Sequence, residues 1–509
     1  MRYICGAIRD AGEEYEYITI DEWRNGKKIN GNILLIYAGS VIPGKYLRGM
    51  PISFREFLNI CSNFKGIKIL CGACAKFGFC QGGGKNLIDG KKFVDYYSLG
   101  DDDAFIYDFL NGEINHRRRK KEEWKRWSIM GAELVKYHPD FPQPLIAEIE
   151  TYRGCVRWFT GGCSFCIEPS FGKPEMRDER EITNEIKELN KIGVKNFRLG
   201  CQTCFFSYKA KGIGKSELPK PNVDAIKRLL ERISKIKPNV LHIDNVNPAI
   251  VAEWEEESRK IVKMIVKYCT PGNTAAFGME SADENVIKEN NLNANPEQVF
   301  KAIEIINEGG RDIGKNGMPN FLPGVNILFG LRGESKKTYE LNLKFLKEVM
   351  NKNLLLRRIN IRQVVYLKGR RVKIDIKLFK KFKRFVNEEI NKKMLRKILP
   401  EKSILRDVFL EINIGKNTFG RQIGSYPVLV CLPYKTSVNR FVDVKIFDYG
   451  YRSVTGVEYP LNINKVGYNV IRILPGLKNK AVDIVKKRPF RDINEIEEFG
   501  EELLDWFVV

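Results

Sequence analysis

Histidine is scarce in this chain, which has 3 among its 509 residues (His116, His138 and His242). So few imidazoles argue against a histidine-rich zinc site and against histidine as the routine catalytic base. The chain also lacks any uninterrupted apolar stretch of about 18 residues, so we predict no transmembrane helix. Its first forty residues contain no charged segment followed by an apolar one, as a signal peptide would. We therefore expect a cytoplasmic protein.

Acidic residues are outnumbered, with 63 Asp and Glu against 86 Lys and Arg, which gives a formal net charge of +23. A charge this large favours an acidic partner such as nucleic acid or a membrane surface. The alternative is a solvated, lysine-rich surface, and composition alone leaves it open. Cysteine is plentiful, with 12 residues. In a reducing cytosol these predict metal ligands or catalytic thiols before disulfides.

The spacing of apolar residues predicts an α/β protein. Strands at 32–37 and 66–70, with a helix beginning at Ser53 between them, suggest a small open α/β domain. Between 145 and 365, six strands alternate with helices, which requires parallel pairing through right-handed crossovers. The result is a partial or complete α/β barrel with its chemistry at the C-terminal strand ends. The predicted segments are an N-terminal α/β domain with a cysteine cluster (1–140), the barrel (141–368), a basic helical linker (369–405), a small β-barrel (406–464) and a terminal helical segment (465–509).

Three cysteines lie on one loop directly after the first barrel strand. Cys155 is separated by seven residues from the pair Cys163 and Cys166. Cys-x2-Cys spacing lets two sulfurs reach one metal centre, and the third cysteine can wrap round to meet them. Because only three ligands are local, a four-iron cluster would keep one iron open for an amine and a carboxylate. The alternative is a structural zinc site, which would need a fourth ligand from elsewhere.

This loop resembles that of the radical S-adenosylmethionine (SAM) superfamily. The matching residues are Cys163-Ser-Phe-Cys166, with Phe165 placed beside the cofactor, and Arg153-Gly154 before the loop. The usual spacing is Cys-x3-Cys-x2-Cys, so the seven-residue gap is a departure. The resemblance implies a (β/α)6 partial barrel, a [4Fe–4S] cluster on the three cysteines, and one-electron cleavage of SAM to a 5′-deoxyadenosyl radical. It also implies an electron donor such as a ferredoxin or flavodoxin.

Two other strand ends resemble cofactor-binding elements of the same superfamily. The run 277–283 resembles its Gly-x-Glu-Ser element, which implies that Glu280 and Ser281 bind the ribose or the amino acid part of SAM. Gly200-Cys201-Gln202 ends the second strand, where the superfamily has a Gly-rich turn for the cofactor's ammonium. Gly200 and Gln202 are therefore predicted to contact the cofactor. For Glu280 the alternative is a surface or ion-paired carboxylate.

Two further cysteine sets are candidates for metal binding or catalysis. Cys71, Cys74 and Cys80 are spaced closely enough to predict a second metal or iron–sulfur site. Zinc and merely structural thiols are the alternatives. Cys201 and Cys204 stand at a strand end and are predicted to face the active site. They are candidates for a metal ligand or a hydrogen-atom donor, and a passive role also stays open.

The C-terminal residues 473–485 resemble a helix–hairpin–helix motif. Pro475-Gly476 predicts the tight hairpin, and Lys478 and Lys480 are predicted to hold a phosphate at the start of the second helix. Lys478 stands where such hairpins commonly carry a second glycine. Because these motifs also serve as protein-interaction modules, that alternative stays open.

The β-rich segment 406–464 resembles a TRAM-like or OB-like barrel, through the runs 420–427 and 444–449. Small β-barrels with interleaved basic and aromatic residues commonly bind RNA. The domain order resembles that of the radical SAM methylthiotransferases of tRNA, which carry TRAM domains. The resemblance thus implies a grip on phosphates by these modules and by the basic stretch 368–400.

The first hypothesis is therefore a radical SAM enzyme that modifies a nucleic acid, with tRNA preferred, by methylthiolation or a related C–H functionalisation. No membrane partner is expected. The second hypothesis keeps the enzyme but gives it a protein or small-molecule substrate. The third is a non-catalytic nucleic-acid binder whose cysteines hold structural metal.

Overall fold

The protein is described by a computed structural model that covers residues 1–39, 47, 49–80, 82–366, 372–500 and 504–509. The predicted boundary at 368/369 and the first four residues of the basic stretch, 368–371, lie outside these ranges. The division into five segments stays a prediction. Within the described ranges, no helix has both the length and the apolar character needed to cross a membrane.

The N-terminal segment is built on a three-stranded parallel sheet, as its strand–helix–strand pattern predicts. Its elements are α1 (Arg2–Asp10), α2 (Ile20–Arg24), β1 (Ile33–Tyr37), α3 (Phe54–Asn63), β2 (Ile67–Cys71), α4 (Ala73–Phe77), β3 (Tyr96–Tyr97), α5 (Asp102–Leu110) and α6 (Lys121–Met130). The strand order is β1-β2-β3. Helix α3 begins where predicted, because Ser53 and Glu56 cap each other's backbone N–H groups.

The central segment forms an open barrel of six parallel strands, which confirms the predicted alternation. Its elements are β4 (Ala147–Glu150), β5 (Tyr152–Arg153), β6 (Glu175–Met176), α7 (Glu179–Ile192), β7 (Asn196–Gly200), α8 (Val223–Ser234), β8 (Val240–Ile243), β9 (Asn245–Val246), α9 (Pro248–Glu253), α10 (Glu255–Tyr268), β10 (Asn273–Glu280), α11 (Glu284–Glu289), α12 (Pro296–Gly310), β11 (Phe321–Phe329), α13 (Lys336–Asn351) and β12 (Arg358–Gln363). The parallel strands lie in two sheets, in the orders β4-β7-β8 and β9-β10-β11-β12, and Asp244 separates β8 from β9. Six parallel strands result when β8 and β9 are counted as one interrupted strand, and β5 and β6 form a separate antiparallel pair. Strands β4 and β12 end the series.

A small closed β-barrel follows, as predicted. Its strands are β13 (Ile404–Ile414), β14 (Asn417–Gln422), β15 (Leu429–Leu432), β16 (Arg440–Tyr449) and β17 (Ser453–Tyr459), preceded by helices α14 (Ile376–Phe385) and α15 (Lys392–Ile398). The strands close in the order β13-β14-β15-β17-β16. Strands β15 and β17 run parallel, and the other neighbours are antiparallel.

The terminal segment has its own small core, which includes Leu477 between two short helices. These elements are β18 (Leu461–Asn462), α16 (Tyr468–Ile473), α17 (Ala481–Lys486) and β19 (Phe507–Val508). The predicted hairpin separates α16 from α17, but residues 493–499 form a 3-10 segment where an α-helix is expected. The ammonium of Lys480 donates to the carbonyl of Phe499 at 2.5 Å. This bond joins the hairpin to the 3-10 segment of the same terminal domain. A nucleic-acid role for this motif stays a prediction.

The small β-barrel inserts one loop into the N-terminal end of the parallel barrel. Tyr426, between β14 and β15, donates its hydroxyl to Asp244 at 2.7 Å, and its ring lies 4.1 Å from the Arg358 guanidinium carbon. The backbone N–H of Ser425 donates to Nδ1 of His242 at 2.8 Å. Burial lowers the pKa of His242 to about 4, which keeps the ring neutral as this bond requires. The two barrels are therefore joined by a polar plug.

The N-terminal domain docks against β12 through two glycines. The backbone N–H of Gly84 donates to the carbonyl of Val364 at 2.9 Å. A Cβ atom at Gly83 would lie 1.8 Å from the carbonyl oxygen of Gln363, and no real Cβ approaches a backbone oxygen that closely. Only glycine fits here, so this contact fixes the N-terminal domain to the last strand of the barrel.

Replacing Gly83 by alanine is expected to break this docking contact. The opposing atom is backbone and has little freedom to move, so we expect a loss of about 1–3 kcal/mol in the free energy of unfolding. Denaturant unfolding followed by circular dichroism measures it. Gly39→Ala is the matched control, because an added Cβ there meets nothing within 4 Å. An unchanged transition in both variants would show that the contact contributes nothing.

Candidate active site

The three cysteines predicted to bind a cluster lie on the cysteine loop, residues 154–167, after β5. Cys155, Cys163 and Cys166 are all half-buried, and none is in a disulfide. Burial raises the pKa of Cys163 to about 11 and that of Cys166 to about 12. Repulsion from Cys155 raises the pKa of Cys163 further, and repulsion from Cys163 does the same for Cys166. The loop therefore brings the three predicted ligands into one neighbourhood.

Arg157 contacts two of the three sulfurs. Its backbone N–H donates to Sγ of Cys155, and its Nη1 donates to Sγ of Cys163, both at 3.4 Å. The side chain is 3% exposed and is held by Asn291, which accepts from both Nη1 and Nη2 at 3.0 Å. A buried cation at this position stabilises thiolates over thiols. Nothing in the sequence around Arg157 predicts this role, because its partner Asn291 is 134 positions away.

Two asparagines after α11 hold the cysteine loop over the barrel. Asn290 accepts from the backbone N–H of Ser164 at 3.0 Å and from its hydroxyl at 2.9 Å. Asn291, in the left-handed region at φ +49°, donates its amide to the carbonyl of Gly162 at 2.9 Å. Phe165 packs with Cys163 in an apolar cluster that includes residues of α11, β11 and the end of β12. The loop is thus fixed before any cofactor binds.

The donor set of the loop fits an iron–sulfur cluster better than a zinc ion. A zinc ion holds four ligands at about 2.0–2.3 Å from one centre. Among the residues that the structure describes, no group of three or more His, Cys, Asp or Glu has an arrangement suited to a single metal ion. A four-iron cluster spreads its thiolate ligands over separate irons and therefore needs a wider spacing. Three thiols on one loop beside a buried arginine supply the local ligands of such a cluster.

Glu280 is the most unusual carboxylate at the mouth of the barrel. It lies at a β-bulge with φ +63°, which turns its side chain away from the regular strand direction. Its Oε2 atom is buried and has no hydrogen-bond partner among the described residues. Burial raises its pKa to about 8, and Arg362 is the opposing charge. The negative charge of Glu280 also raises the pKa of the Cys163 thiol. An unsatisfied acceptor beside the cysteine loop fits a hydrogen-bond donor of the cofactor.

Ser281 is fully buried next to Glu280. Its hydroxyl oxygen accepts from the backbone N–H of Asp283 at 3.1 Å. This bond shapes the turn that leads into α11, and the hydroxyl hydrogen stays available for a second acceptor. The structure thus gives Ser281 a structural contact, and its predicted contact with SAM stays a prediction.

The end of β7 is tightly packed around Gly200. A Cβ there would lie 2.1 Å from Oε1 of Glu148, so glycine makes room for that carboxylate. The amide of Gln202 accepts from the Thr151 hydroxyl at 3.2 Å and donates to the carbonyl of Leu199 at 2.9 Å. Both ends of the Gln202 side chain are therefore engaged in holding the strand end, which leaves its predicted cofactor contact without support from its geometry.

Cys201 and Cys204 lie in different environments. Cys201 is exposed, with φ +61°, at the mouth of the barrel. Cys204 is 2% exposed in the hydrophobic core, and its sulfur accepts from the backbone N–H of Asn247 at 3.2 Å. An active-site role for Cys201 stays a prediction, and the sulfur of Cys204 lies in the core rather than at the mouth.

The second cysteine set is buried but divided between two cores. Cys71 packs in a cluster with Ile4 and Phe105, whereas Cys74 belongs to the cluster around α3. Cys80 donates its thiol to the carbonyl of Gly82 at 2.9 Å, and its charge raises the pKa of Cys74 beyond the effect of burial. In the described part of the chain, these three thiols do not form a group suited to a metal ion. A second cluster stays a prediction.

Comparisons with known proteins place the barrel in a known superfamily. The model of the radical SAM superfamily matches residues 149–346, which include the cysteine loop. An uncharacterized protein of Methanocaldococcus jannaschii is 47% identical over 482 residues, covering 89% of this chain and 88% of its own length. One of Archaeoglobus fulgidus is 41% identical over 521 residues, covering 98% and 93%.

More distant similarities extend to characterised enzymes. The tRNA-2-methylthio-N(6)-dimethylallyladenosine synthase of Clostridium novyi is 24% identical over 347 residues, covering 67% of this chain and 62% of that protein. Among solved structures, the cobalamin-dependent S-adenosylmethionine radical enzyme OxsB aligns with a TM-score of 0.40 at 12% identity, over 66% of this chain and 44% of that one. This chain thus spans less than half the length of that solved protein.

The cysteine loop, the six-stranded barrel and the superfamily match fall on the same part of the chain. A radical SAM domain implies a [4Fe–4S] cluster and SAM as cofactors. The chain belongs to one family with the two archaeal proteins, and it is a radical SAM enzyme.

Proposed function

We propose that this enzyme modifies a nucleic acid, with tRNA as the preferred substrate, by methylthiolation or a related C–H functionalisation. Cys155, Cys163 and Cys166 hold the [4Fe–4S] cluster in this proposal, and SAM binds beside it. The observation that carries the proposal is the topology of the small β-barrel joined to the catalytic barrel. The similarity to a tRNA-modifying synthase of Clostridium novyi supports it.

The small β-barrel has the strand order of an OB-fold. Counted from β13, its strands close in the order 1-2-3-5-4, with the third and fifth parallel. OB-folds bind oligonucleotides on the face of their second and third strands and with adjoining loops, using basic grooves and exposed aromatic rings. Phe441 and Tyr451 are exposed here, at 39% and 49%. This barrel therefore offers both the topology and the stacking surfaces for a nucleic acid.

The residues around the cysteine loop have separate tasks in the proposed reaction. The cluster and SAM supply one-electron chemistry when bound. Arg157 provides positive charge beside two thiolates, and Asn291 keeps its guanidinium in place. Glu280 presents a buried acceptor toward the cofactor. Because these groups are fixed by the fold, the site is preorganised for binding rather than assembled by it.

Nucleoside analysis of tRNA tests the substrate. Cells with and without the gene are compared by mass spectrometry of digested tRNA, and we expect one modified nucleoside to disappear without the gene. The purified enzyme is expected to bind tRNA with an affinity that falls steeply with salt, since each phosphate contact contributes about 0.7–0.9 to the slope of log K against log salt. Unchanged nucleosides together with binding that ignores salt would overturn the proposal.

Replacing Glu280 by glutamine is expected to weaken SAM binding. A hydrogen bond to a charged group is worth about 1.5–3 kcal/mol, so the Kd for SAM is expected to rise about 10- to 100-fold. Calorimetric titration of the reconstituted enzyme with SAM measures it. Glu284→Gln, an exposed position on α11, is the matched control and is expected to bind like wild type. Equal affinities of both variants would remove Glu280 from the cofactor site.

A further inference from the structure

Three elements bring basic side chains together beside the mouth of the barrel. Arg358 and Arg362 lie four positions apart on β12 and share one face, because the intervening Ile359 and Ile361 are buried on the other. Arg452, in the turn between β16 and β17, donates its Nη2 to the carbonyl of Ile359 at 3.2 Å. The small barrel therefore places an arginine directly on the last catalytic strand.

Lys383 of α14 completes the group. Its ammonium lies within reach of the charges of Arg362 and Arg452, and burial together with these two cations lowers its pKa. Arg452 is exposed along most of its side chain, but desolvation beside β12 lowers the pKa of its guanidinium and the charge of Arg362 adds to the effect. The packing of α14 places Lys383 there, because the preceding residue, Phe382, packs edge-on against Phe329 at the end of β11, the neighbour of β12.

The group has little compensating negative charge. Arg362 is the cation that opposes Glu280, and Arg358 faces Asp244 across the ring of Tyr426. Within the described ranges, none of Arg358, Arg362, Lys383 and Arg452 is in an ion pair. Three arginines between the N-terminal domain and the barrel differ, because Arg119, Arg153 and Arg177 all contact carboxylates. Like charges without counter-charges repel one another and lower the free energy of unfolding. A bound anion would remove that repulsion and stabilise the fold.

The four basic residues lie where the small β-barrel meets the catalytic barrel. Arg362 and Arg452 are exposed and Lys383 is half-buried, whereas Arg358 lies behind them under the Tyr426 plug. Arg362 stands near the C-terminal end of β12, where an α/β barrel has its chemistry. Arg452 belongs to the small barrel. The group therefore includes one residue of the small barrel and one residue near the catalytic mouth.

We propose that Arg362, Lys383 and Arg452 form a phosphate-binding site that guides the sugar–phosphate backbone of a nucleic acid from the small barrel to the catalytic mouth. This inference rests on the proposed nucleic-acid substrate and adds where that substrate is held. Arg358 contributes positive potential from behind without direct contact. Guanidinium groups suit phosphate oxygens because they donate in a planar fork.

A double variant of the full-length holoenzyme, Lys383→Gln with Arg452→Gln, tests the site. We expect weaker tRNA binding, and we expect the slope of log K against log salt to fall by about 1.4–1.8, since each lost phosphate contact removes about 0.7–0.9. The matched control, Lys227→Gln with Lys263→Gln, removes the same charge from exposed positions on α8 and α10, outside the basic stretch and the small barrel. Its slope is expected to equal that of wild type. Melting temperature and bound iron verify that both variants fold.

The outcomes separate this inference from the proposed function. If wild type binds tRNA with a steep salt dependence and both double variants lose the same slope, only net charge matters and the phosphate site is overturned. Equal binding by all three proteins overturns it as well, while the nucleic-acid substrate stands. If wild type fails to bind tRNA at all, the proposed function falls and this site falls with it.

Discussion

Replacing Cys163 by alanine is expected to abolish reductive cleavage of SAM. The loop supplies three thiols, so the loss of one leaves two local ligands and an unsaturated cluster. Cys163 is also the sulfur that Arg157 contacts with its side chain, at 3.4 Å, and its replacement removes that contact while those with Asn291 and Glu217 stay. Anaerobic reconstitution followed by assays of iron content and 5′-deoxyadenosine formation measures the effect. Wild type is expected to hold about four irons at this site.

Cys431→Ala is the control for the loss of a thiol as such. Cys431 lies on β15 of the small barrel, away from the cysteine loop, and the variant is expected to keep both iron and activity. Any iron held by the N-terminal cysteines would survive in both variants, so SAM cleavage is the deciding measurement. A Cys163→Ala enzyme that still cleaves SAM would remove Cys163 from the cluster. Stoichiometric zinc in active wild type would overturn the assignment of all three cysteines.

The sequence predicts the architecture well where the signal is periodic. The strand-and-helix alternation gives the six-stranded barrel, and it identifies the cysteine loop because all three thiols follow one strand. Within the predicted β-rich segment 406–464, apolar runs predict individual strands at 426–432, 441–447 and 449–456, but β13 (Ile404–Ile414) and β14 (Asn417–Gln422) lie outside these runs. Charged residues interrupt their alternation, and Asp407 sits at a register shift with φ +55°. Local irregularity of that kind hides a strand from pattern analysis.

Sequence spacing is a weaker guide to which side chains meet. Cys201 and Cys204 are neighbours along the chain, but the left-handed backbone at Cys201 sends the following residues toward the core. Conversely, Arg157 meets Asn291, and Tyr426 meets Asp244, across 134 and 182 positions. Only the closed fold creates these pairs. They carry much of the preorganisation of the site, and a single sequence contains no signal for them.

Glu185 on α7 connects the N-terminal domain to the strand that leads into the cysteine loop. It is fully buried and forms ion pairs with Arg2 and Arg177. Arg2 donates to the carbonyl of Glu148 at 2.6 Å, and Arg177 donates to that of Glu150 at 2.9 Å. Both carbonyls belong to β4, an edge strand of the open barrel. The two arginines therefore cover the free edge of β4, and Glu185 holds both in place.

Replacing Glu185 by glutamine is expected to lower the free energy of unfolding by about 3–5 kcal/mol, because it leaves two buried arginines without a counter-charge. Glu188→Gln on the same helix breaks only the surface pair with Lys191 and is expected to cost less than about 1 kcal/mol. Denaturant unfolding of both variants measures the difference. Equal stability of the two would show that solvent or a rearranged neighbour compensates the arginines.

The same ion pairs predict how stability depends on pH. Burial alone would raise the pKa of Glu185, but the charges of Arg177 and Arg2 outweigh burial and hold it below its usual value. The unfolded chain therefore binds this proton at a higher pH than the folded one. The stabilisation from Glu185 is complete above the unfolded pKa of about 4.3 and is lost as pH falls through the lower folded value. Wild type should thus lose stability on acidification more steeply than Glu185→Gln, and parallel pH profiles for the two proteins would contradict the role of this carboxylate.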